Sequence, residues 1–507
     1  MDMIEHIFVV MLENRSFDQM LGFSDIHGVN AETGSLTKID GLTGTEHNPS
    51  PKGGTIGVSS PAQYVLNADP GHEFTDVREQ LCGNNGDFSF PTPPPGTIDP
   101  KISNSGYVYD FAGKYPDRNW STVMECFQPK QLPVLTILAK EFAVLDHWFS
   151  SMPGPTWPNR FFLHAATAGG LDHSPALPME IASTAGDAYR FDNGTIFDLL
   201  DSAKLAWTIY CGDEFPQCLH MKGMAENLAK GKFQPYGKFR GDLRGDFTKS
   251  YVFIEPNWHP FTHFRCGNSQ HPLDDVTRGE QLLKEVYEAI RNSPLWEKSL
   301  LIITYDEHGG FFDHVAPPTT IDPGDSTTSP FNNRYGFNFR QLGVRVPAVV
   351  VSPYVAKGII DHRPYEHCSV LSTIEKQFGL TNLTKRDKQA SPLDRLLTLR
   401  EPRTDTPKLP SPADSNVKCT ALSDIITRAE SVLQNAATRL RLREPKPIDP
   451  SISGFVHVAL LRKLSVSATG EKDSVVKEAL AVHSEGDALQ YLRRVRKQVL
   501  TSGPLPG

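Results

Sequence analysis

The stretch IEHIFVVMLENRSFD, residues Ile4–Asp18, decides the fold. Six apolar residues, 7–12, lie between polar neighbours, which is typical of a strand buried on both faces of a parallel sheet. Open α/β sheets bind ligands at the carboxyl ends of such strands, and Glu13 and Asn14 follow there. We therefore expect the first strand to deliver these two residues to a site. The alternative is structural, because Asn14 or Ser16 could instead cap the next helix.

Further apolar runs alternate with segments of helical spacing along the chain. Strands are expected at Phe142–Leu145, Ala206–Tyr210, Tyr251–Ile254, Ser299–Tyr305 and Val346–Val351. Helices are expected at Leu132–Lys140, Phe161–Ala168, Val276–Asn292 and Ser369–Phe378. This alternation predicts an α/β fold, a mostly parallel sheet flanked by helices. The polar, Gly- and Pro-rich region from about residue 22 to 119 is expected to form long loops over the site.

Changes in composition along the sequence indicate three parts of the chain. Residues 1–400 form the predicted catalytic domain, 401–416 a Pro-rich linker, and 417–507 a helical C-terminal extension. Helical spacing in the extension covers Leu422–Leu442, Val456–Leu464 and Val475–Leu500. A basic run at 493–497 is expected to be a solvated helix face rather than a membrane contact.

Composition excludes several classes of protein. The 507 residues are 39% hydrophobic and 22% charged, and the net charge is −8 with both signs interspersed, which argues against a nucleic-acid partner. Seven scattered cysteines without a CxxC motif argue against a disulfide framework or a structural zinc site. The first strand begins near residue 4, which leaves no room for a signal peptide, and no run of 18 apolar residues occurs. We expect a cytoplasmic protein.

Two strands far apart in sequence end in adjacent oxygen-bearing side chains, Glu13–Asn14 and Asp306–Glu307. Together they could offer four ligands to one hard or borderline divalent cation. Thr156 follows a Gly-Pro turn at the start of a predicted helix, where free amides and the helix dipole stabilise negative charge. A metal-bound hydroxyl there would be a nucleophile. The structural alternatives are a capping threonine and acidic pairs that only cap helices or bind water.

Six motifs resemble the phosphoesterase family, which contains bacterial phospholipases C, plant non-specific phospholipases C and related acid phosphatases. The resemblance covers about residues 1–385 in order. YDEHGGFFDHV is more similar to the plant-type phospholipases than to the acid phosphatases, whose acidic pair is usually Asp-Asp. The motifs are ENRSFD (Glu13–Asp18), GPTWPNR (Gly154–Arg160), QHPLDDVTRGEQLL (Gln270–Leu283), YDEHGGFFDHVAPP (Tyr305–Pro318), RVPAVVVSPYVAKG (Arg345–Gly358) and YEHCSVLSTIEKQFG (Tyr365–Gly379).

The resemblance implies a core like that of alkaline phosphatase and a role for each matching residue. Thr156 matches the nucleophile, and the T-x-P-x-R form of its motif speaks against a sulfatase. Sulfatases convert Cys or Ser at that position to formylglycine, whereas threonine would give a ketone. The expected catalytic residues are Thr156, His72, His271 and His314, and the expected ligands of one divalent metal ion are Glu13, Asn14, Thr156, Asp306 and Glu307.

The function implied is that of a phospholipase C, which hydrolyses glycerophospholipids to diacylglycerol and a phosphorylated head group through a phosphothreonine. One alternative is an acid phosphatase that acts on phosphomonoesters. Another is a catalytically silent binding protein on the same scaffold. The expected partners are a phospholipid or other phosphate ester and, transiently, a membrane surface, while the sequence leaves the oligomeric state open.

Overall fold

A computed structural model of the chain describes residues 3–175, 188–325, 332–419 and 446–502. Its main layer is a ten-stranded sheet built around β1 (His6–Leu12), whose residues are all buried. The strands that follow in chain order are β2 (His27–Asn30), β3 (Leu36–Lys38), β4 (His47–Pro49), β5 (Thr55–Gly57), β6 (Ala143–Leu145), β7 (Trp207–Cys211), β8 (Phe233–Pro235), β9 (Tyr251–Glu255), β10 (Ser299–Tyr305), β11 (Ala348–Val351) and β12 (Ile359–Asp361).

The sheet is mostly parallel, as the sequence predicts. Its strand order is β3-β2-β12-β6-β11-β10-β1-β9-β7-β8, and β4 and β5 form a separate pair. β1 runs parallel to both of its neighbours, whereas β11 is antiparallel to β10 and β6, and β3 is antiparallel to β2. The register pairs Leu12 with Tyr305. The residues that follow β1 and β10 therefore emerge side by side at one edge of the sheet.

Helices flank the sheet, and the longest in the catalytic part shows why. Val276, Leu283, Val286 and Ile290 recur at helical spacing and are fully buried. The helices are α1 (Phe17–Leu21), α2 (Phe74–Cys82), α3 (Tyr107–Lys114), α4 (Pro133–Glu141), α5 (Thr156–Ala165), α6 (Ile196–Ser202), α7 (Met224–Ala229), α8 (Phe239–Asp242), α9 (Val276–Arg291), α10 (Cys368–Phe378), α11 (Lys385–Gln389), α12 (Pro450–Val466), α13 (Lys472–Leu480) and α14 (Glu485–Ser502).

Two expectations about the elements need correction, and a third is untested. The region from 22 to 119 is not only loop, because it holds α2 and α3 besides four short strands. The expected single helix Val475–Leu500 is two helices, because Ser484 and Asp487 exchange hydrogen bonds of a cap in front of α14. The expected helix Leu422–Leu442 lies outside the described residues.

The C-terminal helices pack directly on the predicted catalytic domain. Gly454 in α12 lies against Trp157, and a Cβ there would stand 2.3 Å from the indole ring. The predicted linker also contacts the core, since the Tyr287 hydroxyl donates to the Pro407 carbonyl. Of the basic run, Arg496 pairs with Glu214 at 2.8 Å. The three-part division of the chain stays a prediction.

A disulfide joins Cys266 to Cys419, with 5.5 Å between their Cα atoms. The sequence does not predict this bridge, because the two residues are 153 positions apart and share no motif. The helices in the described ranges include none that has both the length and the apolar character to cross a membrane.

Candidate active site

The ends of β1 and β10 meet through the carboxylate of Asp306. Its Oδ1 accepts hydrogen bonds from the backbone N–H groups of Asn14, at 3.1 Å, and Glu307, at 2.7 Å. Asn14 adopts a left-handed backbone conformation with φ of 60°, which turns the chain sharply at the strand end. Glu13, Asn14, Asp306 and Glu307 are all buried. The structure thus brings four of the five predicted ligands together.

Thr156 is the first residue of α5 rather than its cap, since Pro155 precedes the helix. Its hydroxyl donates to the side-chain oxygen of Asn14 at 3.2 Å. Asn159 supports the turn, because its side-chain amide donates to the carbonyls of Gly154 and Pro155. The predicted nucleophile therefore lies at a helix N-terminus and touches a predicted metal ligand.

Arg160 fastens this helix to the sheet. Its Nε pairs with Asp306 Oδ2 at 2.9 Å, and an Nη atom donates to the Leu12 carbonyl at 3.0 Å. The guanidinium also lies over the Trp258 ring, 4.4 Å from its centroid. In the sequence, Arg160 is distinguished only by its place in the T-x-P-x-R motif. The structure gives it a positioning role between Thr156 and the ends of β1 and β10.

The acidic side chains retain capacity for a cation. The Oε1 atoms of Glu13 and Glu307 are buried, and within the described ranges neither has a hydrogen-bond partner. Burial, reinforced by the charge of Asp306, raises the pKa of Glu13 well above its ordinary value. Burial also raises the pKa of Glu307 to about 8, against the opposing charge of His72. Crowded carboxylates with free oxygens fit a divalent cation.

His72 and His271 lie together beside this acidic group. Their rings meet edge to face with centroids 6.4 Å apart, and His271 Nε2 is 3.4 Å from Asp69 Oδ2. Burial disfavours the charged form of His72, but Glu307 and Asp69 outweigh it and raise the pKa of His72 to about 9. Asp69 was missed from the sequence, although its place in the DPGH motif beside His72 could have signalled it.

His314 lies elsewhere. Its Nδ1 is 2.7 Å from Asp18, and its Nε2 is 3.2 Å from Asp40. Among the hydrogen bonds and ion pairs of the described residues, none joins His314 to Thr156 or to a predicted ligand. Gly309 and Gly310 have positive φ values, 67° and 75°, and turn the chain away after Glu307. The structure does not bring His314 to the other predicted site residues.

Asp18, Asp313 and Arg345, which are buried, and His314, which is half-buried, form a second charged group, which we name the arginine cluster. Ligand atoms of the first three lie within 4.8 Å of one another, a spacing that would suit a metal ion. Arg345 already supplies the positive charge that a metal ion would bring, because it donates to Asp18 at 2.9 Å and to Asp313 at 2.8 Å. A guanidinium bonded to both carboxylates makes this group a poor metal site.

Solved structures offer only distant likeness. A phosphonate monoester hydrolase of Agrobacterium radiobacter is 11% identical with a TM-score of 0.31, over 54% of this chain and 73% of that one. An alkaline phosphatase superfamily protein from Vibrio parahaemolyticus is 15% identical with a TM-score of 0.30, over 53% of this chain and 62% of that one. Scores this low carry no argument about function.

Curated relatives are much closer. Non-specific phospholipase C1 of Arabidopsis thaliana is 37% identical over 80% of this chain and 74% of its own length. Non-specific phospholipase C3 of the same plant is 34% identical over 88% and 84%. Phospholipase C B of Mycobacterium tuberculosis is 27% identical over 75% of both chains. The model of the phosphoesterase family matches residues 4–381, so the chain belongs to this family and is a hydrolase that acts on phosphoric ester bonds.

Proposed function

We propose that this protein is a metal-dependent phospholipase C that cleaves glycerophospholipids through a phosphothreonine intermediate. The observation that carries the proposal is the buried contact of the Thr156 hydroxyl with Asn14, beside unpartnered oxygens of Glu13 and Glu307. Relatives that are 34–38% identical and named phospholipase C support the substrate class.

The reaction proceeds in two displacements at phosphorus. The Thr156 hydroxyl loses its proton to solvent, Oγ1 attacks in line, the bond to the diacylglycerol oxygen breaks, and the head-group phosphate becomes esterified to Thr156. Water then attacks the same phosphorus, the bond to Oγ1 breaks, the phosphorylated head group leaves, and Oγ1 takes a proton back from solvent. The N-terminus of α5 stabilises the charge that develops on Oγ1 and on the phosphoryl oxygens.

His72 and His271 serve the leaving group. The diacylglycerol oxygen needs a proton as it departs, and both imidazoles lie beside the acidic group at the strand ends. Asp69 orients His271 through the 3.4 Å contact with Nε2. In the second displacement the deprotonated imidazole takes a proton from the attacking water.

The metal would be held by Glu13, Asn14, Asp306 and Glu307, together with the oxygen of Thr156. Asp306 enters with lone pairs left over from its bonds to Arg160 and to two backbone N–H groups. A divalent cation bound there supplies a lowered pKa for the threonine hydroxyl and neutralises phosphoryl charge.

Thr156→Ala tests the nucleophile, with Thr156→Ser as the matched control. Turnover of phosphatidylcholine and of p-nitrophenyl phosphorylcholine should fall about 10³-fold or more in the alanine variant, because no hydroxyl remains to attack. The serine variant should keep turnover within about tenfold, because it keeps the hydroxyl. Alanine turnover equal to wild type would reject the mechanism.

A monoester assay run beside the diester assay tests the substrate class. Turnover of p-nitrophenyl phosphate well above that of the diester would make the protein an acid phosphatase with the same machinery. No turnover of either, after Ca²⁺, Mg²⁺, Mn²⁺ and Zn²⁺ are added in turn, would make it a binding protein.

The cellular location belongs to the proposal too. The sequence favours the cytoplasm, with peripheral contact to membranes where the substrates lie. The Cys266–Cys419 disulfide instead favours an oxidising compartment, where structural disulfides persist. Thiol titration of unreduced, denatured protein from its own cells decides between them. Seven thiols support the cytoplasm, whereas the five unpaired cysteines alone support an oxidising compartment.

A further inference from the structure

A loop with protruding apolar side chains stands beside the segment that carries His72. Ser89 closes this loop on Asp99, with its N–H 2.7 Å and its Oγ 2.6 Å from the carboxylate. Phe90 follows one side of this closure and is 92% exposed, and Ile98 precedes the other side and is 48% exposed. Residues 88–98, FSFPTPPPGTI, include no charged side chain. We name residues 89–99 the apolar loop.

The apolar loop is held in place by its neighbours. Asn338 donates from its side chain to Thr92 at 2.7 Å, and Gly96 N–H donates to the Thr319 carbonyl at 2.8 Å. At the base of the loop, the ring of Phe88 lies 6.2 Å from that of Phe74. Phe90 is thus presented on a supported loop and not on a free chain.

A second exposed ring lies on the neighbouring segment. Tyr335 is 40% exposed and stacks on Phe74 with 5.4 Å between centroids. Phe74 follows His72 by two residues. Tyr335 and Glu73 also line a cavity of about 520 Å³. Tyr335 and the base of the apolar loop therefore both contact Phe74, in the segment that carries the proposed catalytic His72.

The charges beside these side chains are mostly positive, and the exposed Asp87 that precedes the loop pairs with Arg78 at 3.9 Å. Residues 332–341, NNRYGFNFRQ, carry Arg334 and Arg340 and no acidic residue. Lys101 is exposed, and its Nζ donates to the Phe88 carbonyl at 3.3 Å. Protruding rings framed by cations match a bilayer, whose hydrocarbon accepts the rings while lipid phosphates attract the cations.

From this geometry we infer that Phe90, Ile98 and Tyr335 form a lipid-docking surface next to the active site. These side chains insert into a bilayer at the boundary between head groups and acyl chains. The inference rests on the proposed function for its purpose, since a phospholipase must draw its substrate from a membrane. It assigns membrane contact to the apolar loop and not to the basic run of α14. There Arg493 donates to the Phe261 carbonyl and Arg496 pairs with Glu214.

Vesicle binding tests the docking surface. Full-length protein with Thr156→Ala, which leaves lipids intact under the proposed mechanism, is sedimented with vesicles of equimolar phosphatidylcholine and phosphatidylserine. Adding Phe90→Ala should weaken binding at least about tenfold, because burial of a phenyl ring in hydrocarbon contributes that factor or more. Leu36→Ala is the matched control, because Leu36 is 89% exposed but lies on β3, an edge strand of the main sheet, and not on the apolar loop. It should bind as the parent does.

Several results would overturn the inference: no vesicle binding by the parent, equal binding after Phe90→Ala, or equal loss in both variants. Dimerisation in light scattering that Phe90→Ala abolishes would assign the surface to a second copy of the chain and also overturn it. The proposed function is tested apart, on soluble p-nitrophenyl phosphorylcholine with Thr156 intact. There Phe90→Ala should turn over as wild type does, and a failure of wild type would reject the enzyme while leaving the docking surface standing.

Discussion

Two buried charged groups lie close to the end of β1, and they differ in how completely they are bonded. In the arginine cluster, Arg345 donates to Asp18 and Asp313, and Asp18 also accepts from His314. In the group at the strand ends, Oε1 of both Glu13 and Glu307 finds no hydrogen-bond partner within the described residues. A saturated group holds the fold together, whereas an unsaturated one keeps capacity for a ligand.

The strongest test of this contrast removes the cation from the saturated group. Arg345→Met should lower the free energy of unfolding by about 3–5 kcal/mol, because it leaves two buried carboxylates unpaired. Urea unfolding followed by circular dichroism measures the loss. Arg496→Met is the control, since its partly exposed pair with Glu214 should contribute less than about 1 kcal/mol. Equal losses in the two variants would contradict the structural role of the arginine cluster.

A substitution in the group at the strand ends should instead reduce activity without reducing stability. Glu307→Gln should reduce turnover about 10²–10³-fold, because a metal ligand is lost. Its melting temperature should stay unchanged or rise, since a crowded buried carboxylate is removed. Elemental analysis after dialysis should find less bound metal than in wild type.

Asp313→Asn, in the arginine cluster, is the matched control for Glu307→Gln. It should lower the melting temperature and leave the metal content as in wild type. The reverse pattern in the two variants would exchange the roles of the two groups.

The smallest expected effect is a pH dependence of stability that comes from His314. Burial disfavours its charged form, but hydrogen bonds to Asp18 and Asp40 prevail and raise the pKa of His314 from 6.5 to about 10. The folded state therefore binds the proton more tightly than the unfolded state. This stability is complete below pH 6.5 and is lost as the pH rises towards 10.

Unfolding midpoints in urea across pH 6–10 measure this effect. We expect wild type to lose on the order of 1–2 kcal/mol more than His314→Gln over that range, after allowance for solvent screening. Parallel pH profiles for the two proteins would show that His314 is not held by charge.

The sheet could be predicted from the sequence because its strands are short apolar runs with polar ends. The apolar run at residues 299–305 predicts a strand with the bounds that the structure shows, and the run before Glu13 predicts the strand around which the sheet is built. Phosphoesterase membership followed from long motifs and is confirmed. The disulfide and the packing of Gly454 on Trp157 could not be predicted, because contacts between distant segments leave no local pattern.

The site was predictable where a strand end or a helix start positions the residue. Glu13, Asn14, Asp306 and Glu307 lie together because parallel strands in register end at one edge. The resemblance places His314 among the catalytic residues, because His314 lies in the same motif as Asp306. Gly309 and Gly310, which have positive φ values, turn the chain between Asp306 and His314 and separate the two residues in space. The sequence of the motif does not show this turn.

Anomalous diffraction from crystals grown with Mn²⁺ tests the contrast between the two groups most directly. The arginine cluster has the spacing of metal ligands, whereas the group at the strand ends has free carboxylate oxygens. The position of the bound ion therefore distinguishes the two groups. We predict a manganese peak among Glu13, Asn14, Asp306 and Glu307, within reach of Thr156. A peak between Asp18, Asp313 and His314, or no peak at either group, would contradict it.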